Sequence, residues 1–443
     1  MSMMAAANTR SVHRRILAVA LPAILANLTT VLPGLVDTAF IGQGGIAAQL
    51  GGVAIGGTFC SLILWAFGFL RTGTAGFTAQ ALGAGDNGEI RGTLRRAMGL
   101  AWFFGFILLL VMVPLGELVL PLYGGGEEQL DFAARYYHFR MFSAPFDLTV
   151  YVVLGWLLGL EQPRIAFALQ VLLNGLNVLF CYVAVLHYNM GVDGVAISTA
   201  LAQAITAVAG LVVVRRIARG IEEPRNDGQL LDVEKLVELM SVNTDIFIRT
   251  LALTFIFTYF VHLSAGLDET TLAANQILLG FMAFIANALD GFAQSAETLT
   301  GQAIGAKDPI ALRQAVVGSA IWALGLAMAL SATFWQVGPA LLPWFNVNIE
   351  VLRVAQVYLP WLIATPLAAV TCFLLDGVYI GATRGREIRN GMLIAAGATL
   401  IAMHVLMAFF GNHGIWAALT LFYMLRGAVL VMWYPRIPRA LAR

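Results

Sequence analysis

Charged residues are scarce in this sequence. They make up 12% of its 443 residues, about half the share usual in soluble domains, whereas hydrophobic residues make up 59%. Windows such as 16–41, 102–120 and 321–335 carry almost no charge, and roughly 20 apolar residues suffice to span a bilayer. These windows are too long and too continuous for the strands of a membrane barrel. The composition therefore predicts an all-α membrane protein.

Cysteine is rare, and motifs of enzymes are missing. Cys60, Cys181 and Cys372 lie inside apolar windows without metal-ligand spacing, and we interpret them as packed core thiols. The six histidines stand singly, again without metal-ligand spacing. No nucleophile elbow, P-loop or dinucleotide fingerprint is apparent. We therefore expect no catalytic residues, cofactor or metal, and any pumping must draw on an ion gradient.

Apolar windows predict a polytopic protein with twelve transmembrane helices. Of 26 Lys and Arg residues, 20 fall at the termini or around the loops after even-numbered windows. By the positive-inside rule both termini are cytoplasmic, and the N-terminus lacks the pattern of a cleaved signal peptide. The net charge of +1 indicates no nucleic-acid partner. The windows lie near 16–41, 53–80, 94–120, 134–159, 166–187, 194–215, 240–264, 272–303, 314–342, 354–380, 391–410 and 415–434.

The chain contains an internal repeat. Residues 77–91 recur as 299–313 at an offset of 222, and seven of the paired positions are identical. Duplication of this kind is typical of transporters built from two repeats. Because each half holds six windows and starts on the same side, the two six-helix repeats are parallel. This organisation predicts an N-lobe over 1–215, a cytoplasmic linker over 216–238 and a C-lobe over 239–443.

The linker is the one long polar connection in the sequence. At its end, residues 230–240 place apolar side chains at helical spacing between charges. This spacing predicts a helix lying in the membrane interface before the seventh span.

In the first half, Asp37 is the most informative embedded charge. It follows Pro33, which cannot donate to the carbonyl of Thr29, so the first helix is expected to kink there. Desolvation favours the neutral form of a carboxyl group, and proton binding at Asp37 would therefore change the charge of a cavity. The alternatives are an acid that faces the headgroups and a buried acid with satisfied hydrogen bonds.

Neutral polar residues accompany this acid. Asn174 and Asn177 share one face of the fifth window, and the sixth window carries Ser198, Thr199 and Gln203. Such groups either position an acid, a water or a solute, or hold helices together.

In the second half, the eighth window has a polar seam within an arc of about 80°. The seam must face protein or water rather than lipid. In the seventh window, Asp245 and Arg249 have the i,i+4 spacing of an ion pair, and Arg249 equally reaches toward the seam. The network either is a structural set of salt bridges or faces a solute. The seam residues are Gln276, Asn287, Asp290, Gln294 and Glu297.

Other embedded charges have partners that the sequence does not reveal: Arg71, Asp147, Asp376 and Arg426. The repeat offset places Tyr259 at the position that corresponds to Asp37. The two halves therefore share an architecture but not the ionisable site.

Several motifs together resemble the MATE (multidrug and toxic compound extrusion) family, in particular its DinF-like branch. They are LVDTAFIG (35–42), QALGAGD (80–86), NTDIFIRT (243–250), ALDGFAQSAE (288–297) and GQAIGAKD (301–308). The resemblance covers nearly the whole chain. It implies a V-shaped, outward-open pair of six-helix lobes that expels amphipathic, often cationic compounds in exchange for H⁺ or Na⁺, without a cofactor.

Position by position, the resemblance implies that Asp37 binds the coupling ion. Asn177 and Thr199 match polar residues around this acid, and Tyr136 matches a tyrosine at the start of the fourth span. Prokaryotic relatives often carry a second acid one turn after the asparagine, where this chain has Cys181. A hard cation such as Na⁺ would lose an oxygen ligand there, which favours proton coupling.

The sequence thus predicts a monomeric proton-coupled exporter of amphipathic cations and drugs in a bacterial inner membrane. Four alternatives stay open: a Na⁺-coupled antiporter, a flippase for lipid-linked precursors of the same superfamily, and, from other classes, a membrane-embedded enzyme and a passive channel. Only three arginines lie deep in the windows, and this small number argues against the strongly cationic cavity of a flippase.

Overall fold

The computed structural model describes residues 2–30, 34, 40–41, 47–221, 232–345 and 348–441. These residues are almost entirely helical, and no strand occurs among them. The α-helices are α1 (Ser2–Thr29), α2 (Ala47–Ala66), α3 (Phe69–Ala84), α4 (Asn87–Val119), α5 (Glu127–Met141), α6 (Ala144–Gly159), α7 (Pro163–Cys181), α8 (Gly191–Gly220), α9 (Val233–Ala265), α10 (Glu269–Gly305), α11 (Pro309–Leu341), α12 (Ile349–Gly381), α13 (Gly385–Phe410), α14 (Asn412–Trp433) and α15 (Arg436–Leu441).

Among the described residues, eleven helical segments are long and apolar enough to span a membrane, and the bent pair of α5 and α6 raises the number to twelve if it counts as one span. Each of the twelve predicted windows overlaps one of these segments. The all-α polytopic fold expected from the sequence is therefore confirmed.

The fourth predicted span is not one continuous helix. Helices α5 and α6 meet at Phe142 and Ser143 with a bend of 52°. Pro145 lies in the first turn of α6 and has no N–H to donate to the carbonyl of Met141. One backbone hydrogen bond is therefore missing at the bend, although the apolar composition continues through it.

The predicted interfacial helix at the end of the linker is also different in the structure. Residues 233–240 belong to α9, which runs without a break from Val233 to Ala265. Residues 230 and 231 lie outside the described residues. The apolar positions from Val233 onward therefore belong to the start of the seventh span itself.

The internal repeat is reproduced in the backbone turns between helices. Left-handed φ angles occur at Gly85 (φ 68°) and Lys307 (φ 53°), and again at Glu161 (φ 58°) and Thr383 (φ 52°), each pair separated by 222 residues. The residue after the first pair is an N-cap aspartate in both halves. Asp86 accepts from the amide of Glu89 at 2.8 Å, and Asp308 accepts from the amides of Ile310 and Ala311 at 2.9 and 3.0 Å. The repeated motif therefore marks how one helix ends and the next begins.

Close helix crossings repeat at the same offset. A Cβ atom on Gly155 would lie 2.2 Å from the carbonyl oxygen of Arg71, and one on Gly377 would lie 2.0 Å from that of Ala293. No side chain larger than hydrogen fits there, so α6 crosses α3 and α12 crosses α10 with backbones in contact. Gly155 and Gly377 are therefore packing residues.

The described residues fall into two compact units. We call the unit of Leu25–Leu82 and Asp86–Glu238 the first-half unit, and that of Met1–Ile24, Gly83–Gly85 and Leu239–Arg443 the second-half unit. The first part of α1 packs in the second-half unit, where Ile16 is fully buried and lies against Gly318 of α11. The predicted lobe boundaries at 215 and 239 stay a prediction.

Candidate functional site

The polar site of the first-half unit lies between α7 and α8. Asn177, which is 1% exposed, donates from Nδ2 to Oγ1 of Thr199 over 2.8 Å. The Thr199 hydroxyl in turn donates to the carbonyl oxygen of Val195 at 3.1 Å. The sequence placed these residues on neighbouring spans, and the structure brings their side chains together.

These contacts fix the orientation of the Asn177 amide. Because the single proton of the Thr199 hydroxyl is used toward Val195, the hydroxyl can only accept from Asn177. The amide nitrogen must therefore face Thr199, and Oδ1 must point away. This oxygen is buried and has no partner among the residues that the structure describes. The site thus presents an acceptor that lacks a donor, which is costly in an apolar environment.

Asn174 has a different partner from Asn177. Its Nδ2 donates to the carbonyl oxygen of Thr29, the last residue of α1, at 3.0 Å. A free carbonyl at a helix end needs such a donor. Asn174 therefore anchors the end of the first helix to α7.

The remaining candidates around the predicted ion site have separate environments. Tyr136 is buried on α5 and packs against Gly56 of α2, where a Cβ atom would lie 3.2 Å from its ring. Cys181 is fully buried at the end of α7, directly before a π-helical turn over Tyr182–His187. Asp37 and Pro33 lie outside the described residues, and so does the predicted kink.

Ion pairing in the second-half unit differs from the sequence prediction. The sequence left open whether Asp245 and Arg249 pair along α9 or Arg249 reaches toward the polar seam, and in the structure each pairs with another helix. Asp245 accepts from Arg389 of α13 at 2.5 Å, and Arg249 pairs with Asp376 of α12. The i,i+4 spacing would allow a pair within α9, but charged residues of the neighbouring helices α12 and α13 are the actual partners.

Asp376 is the centre of a three-residue cluster. Its Oδ2 atom accepts hydrogen bonds from both Arg249 of α9 and Arg426 of α14. The sequence marked Asp376 and Arg426 as embedded charges, and their burial was predictable. Their pairing was not, because 50 and 127 residues separate the partners.

The polar seam of α10 divides into an outer and an inner part. Gln276 is exposed, and Asn287 is half-buried. Further along, Gln294 donates to Asp290 at 2.8 Å, and both Gln294 and Glu297 are buried. Helix α12 covers this inner end, because a Cβ atom on Gly381 would lie 2.2 Å from the carbonyl oxygen of Glu297. The inner part of the seam therefore faces protein. This agrees with the expectation that the seam faces protein or water rather than lipid.

A buried ion pair in the first-half unit was missed by the sequence reasoning. Arg140 donates to both carboxylate oxygens of Asp147 at 2.8 and 3.0 Å across the break between α5 and α6. Ser143, in the break, donates to Asp147 at 2.6 Å. Both charges were visible, and their spacing of seven residues, two helical turns, was the available signal. The pair is neutral and closed, so it holds the bend.

The two units offer different chemical groups. The first-half unit offers a buried polar acceptor next to a single thiol, and the second-half unit offers an arginine-rich cluster. Among the described residues, no group of three or more His, Cys, Asp or Glu side chains is placed to hold a metal ion.

Comparison with known proteins shows one family over most of the chain. The MatE family model matches residues 22–183 and 246–411. The DNA damage-inducible protein F of Escherichia coli is 37% identical over 420 residues, which cover 93% of this chain and 89% of that protein. A probable multidrug resistance protein NorM of Xanthomonas axonopodis is 27% identical over 434 residues, with 91% and 89% coverage.

Solved structures with the same fold are also found. The Vibrio cholerae MATE transporter VcmN in its bent form matches with a TM-score of 0.89 over 98% of both chains, at 18% identity. A multidrug resistance MATE family transporter of the MOP superfamily, in an outward-facing conformation, matches with a TM-score of 0.87 over 97% of both chains, at 17% identity. At these identities the likeness concerns the fold.

Proposed function

This chain belongs to the MATE family of multidrug and toxic compound extrusion transporters, and we propose that it exports amphipathic, often cationic compounds in exchange for protons. The chain is a multi-pass membrane protein. Two repeats with matching helix crossings and turns support transport by alternating access. We further propose that it acts as a monomer in a bacterial inner membrane, with both termini in the cytoplasm.

The observation that carries the proton assignment is the buried acceptor of Asn177. Its Oδ1 atom lacks a donor among the described residues, and a protonated carboxyl group is a donor whereas a carboxylate is not. The family resemblance gives this role to Asp37. A proton on Asp37 would then satisfy Asn177, and its loss would leave the acceptor unsatisfied. The protonation state would thereby change the energy of the site.

Cys181 supports a proton rather than a sodium ion. Its side chain is fully buried one turn after Asn177, where a carboxylate would offer an oxygen ligand to a hard cation. A thiol is a soft ligand that Na⁺ does not favour. A proton needs one titratable group only. Each charge that moves with the membrane potential adds about 2.3 kcal/mol per 100 mV, which supports concentrative export.

Transport by reconstituted protein tests the proposal. Wild type and Asp37→Asn are placed in liposomes, and movement of a fluorescent cation is followed under an imposed pH gradient without sodium. We expect transport in the wild type and none in Asp37→Asn. Asp131→Asn, which removes an exposed acid at the start of α5, is the matched control and should transport normally.

Other outcomes distinguish the rival functions. Wild-type transport that begins only after sodium is added means sodium coupling. Flux that ignores the pH gradient means a passive pathway. Movement of a lipid-linked precursor, with no movement of the cation, means a flippase.

A further inference from the structure

The cluster around Asp376 carries a net positive charge inside the second-half unit. It contains one carboxylate and two guanidinium groups, because Arg249 and Arg426 both donate to Oδ2 of Asp376. No further ion pair is made by any of the three among the described residues. Isolated charge in the membrane interior is costly, so one positive charge of the cluster lacks its counterpart.

Arg426 is the permanent partner of Asp376. Its side chain is 2% exposed, and its guanidinium lies 5.5 Å from the ring centre of Phe422 and 6.0 Å from that of Phe373. Aromatic ring faces at these distances stabilise a cation. Arg426 and Asp376 together therefore form a neutral, enclosed pair whose charges balance without a third group, although Oδ1 of Asp376 has no hydrogen-bond partner among the described residues.

Arg249 is the surplus member and the accessible one. Its side chain is 17% exposed, against 6% for Asp376. Its Nε atom is buried and has no hydrogen-bond partner among the described residues. The Arg426–Asp376 pair is already neutral, so Arg249 adds a positive charge that has no counterpart. An unpaired buried charge costs stability, so a purely structural role does not explain Arg249.

We propose that Arg249 binds the carboxylate of a zwitterionic amphipathic solute. The planar guanidinium fork matches a carboxylate in two parallel hydrogen bonds, and such a ligand supplies the missing negative charge. This inference rests on the proposed export function, and it adds a carboxylate to the substrate class. Arg426 and Asp376 position Arg249 and hold its charge in place.

Removing Arg249 should therefore affect ligand binding but not the stability of the fold. Arg249→Gln leaves the neutral Arg426–Asp376 pair intact, so stability is retained while carboxylate binding is lost. Arg140→Gln in the first-half unit is the matched control. It removes an arginine that Asp147 needs, so it should lower the unfolding temperature.

Equilibrium binding of a fluorescent pair tests the proposal on the full-length purified protein. The probes are tetramethylrhodamine with a free carboxylate and its methyl ester, which differ in that group alone. We expect the wild type to bind the carboxylate form about tenfold more tightly than the ester, a difference of about 1.4 kcal/mol. Arg249→Gln should bind both equally, and Arg249→Lys should keep part of the preference, because it retains the charge but not the fork.

Any of four results would overturn the assignment. The wild type would bind the two probes equally, or Arg249→Gln would keep the full preference. Arg249→Gln would unfold at a temperature as low as Arg140→Gln does, which would make Arg249 a structural partner. Replacing gluconate by chloride would stabilise the wild type but not Arg249→Gln, and so identify an inorganic anion as the occupant. Because no ion gradient is present, these results are independent of whether the liposome experiment supports proton exchange.

Discussion

The amide nitrogen of Asn177 donates to the hydroxyl oxygen of Thr199 across 2.8 Å between α7 and α8. Replacing Thr199 by valine keeps the shape of the side chain but removes the acceptor. A buried N–H of Asn177 is then left unsatisfied, and we expect the free energy of unfolding to fall by about 1–3 kcal/mol. Thermal unfolding in detergent measures this change. Thr199→Ser, which keeps a hydroxyl, should lose less, and equal stability of the two variants would contradict the role of the hydrogen bond.

Cys181→Asp is expected to introduce a dependence on sodium. The new carboxylate lies one turn after Asn177 on α7, and a second acidic oxygen near the amide suits a hard cation. Liposome transport with and without sodium, at fixed pH gradient, measures the effect. Cys181→Ser is the control for the loss of the thiol and should remain independent of sodium. Sodium stimulation of the serine variant, or none in Cys181→Asp, would remove Cys181 from the coupling argument.

Breaking the Arg140–Asp147 pair should be strongly destabilising. Each single change, Arg140→Gln or Asp147→Asn, leaves one buried group without its partner, at a cost of about 3–5 kcal/mol. The double variant should lose less than the sum, because it leaves no unpaired charge. A double-mutant cycle of unfolding free energies measures the coupling. Additive losses would mean that the pair does not hold the bend between α5 and α6.

Gly377→Ala should separate α12 from α10. The added Cβ atom would meet the carbonyl oxygen of Ala293 at 2.0 Å, so the helices must move apart, at a cost of about 1–3 kcal/mol. Gly397→Ala on α13 is the control. Nothing lies within 4 Å of its added atom, and alanine favours a helix over glycine by roughly 0.5–1 kcal/mol. If both variants have the stability of the wild type, the backbones do not cross as closely as described.

The loop before α10 should give a pH-dependent contribution to stability. The hydroxyl and amide of Thr271 donate to Asp268 and lower the pKa of this carboxyl below its ordinary value of 3.8. Because the folded pKa is lower than the unfolded one, the carboxylate stabilises the protein above pH 3.8 and ceases to do so as the pH falls through the lowered value. Asp268→Asn should therefore be less stable than the wild type at neutral pH, and the difference should shrink in acid. Unfolding temperatures measured from pH 7 to pH 3 check this, and a constant difference would contradict it.

Local patterns were sufficient for the spans and the repeat. The length and the apolarity of a segment decide whether it crosses a membrane, and neither of the two depends on distant residues. The offset of 222 residues likewise predicted the duplicated turns, which the structure shows at Glu161 and Thr383 with nearly equal φ angles. The break before Pro145 was not predicted, because the apolar run continues through it and prolines such as Pro22 and Pro366 lie inside uninterrupted helices.

Local spacing failed where the choice of partner was open. Asp245 and Arg249 are one turn apart, yet each pairs with a different helix. A helix brings residues i and i+4 near each other, but its rotation against its neighbours decides which charges they meet. The packing of α9 against α12 and α13 therefore settled a pairing that spacing alone could not.

The sequence by itself determined that this is an all-helical membrane transporter of duplicated architecture, because hydropathy, charge asymmetry and repetition are properties of the chain. The tertiary structure alone decided that Asn177 turns its amide oxygen away from Thr199, and that two arginines share one oxygen of Asp376. Both arrangements depend on side chains from separate helices, whose relative positions no local sequence pattern records.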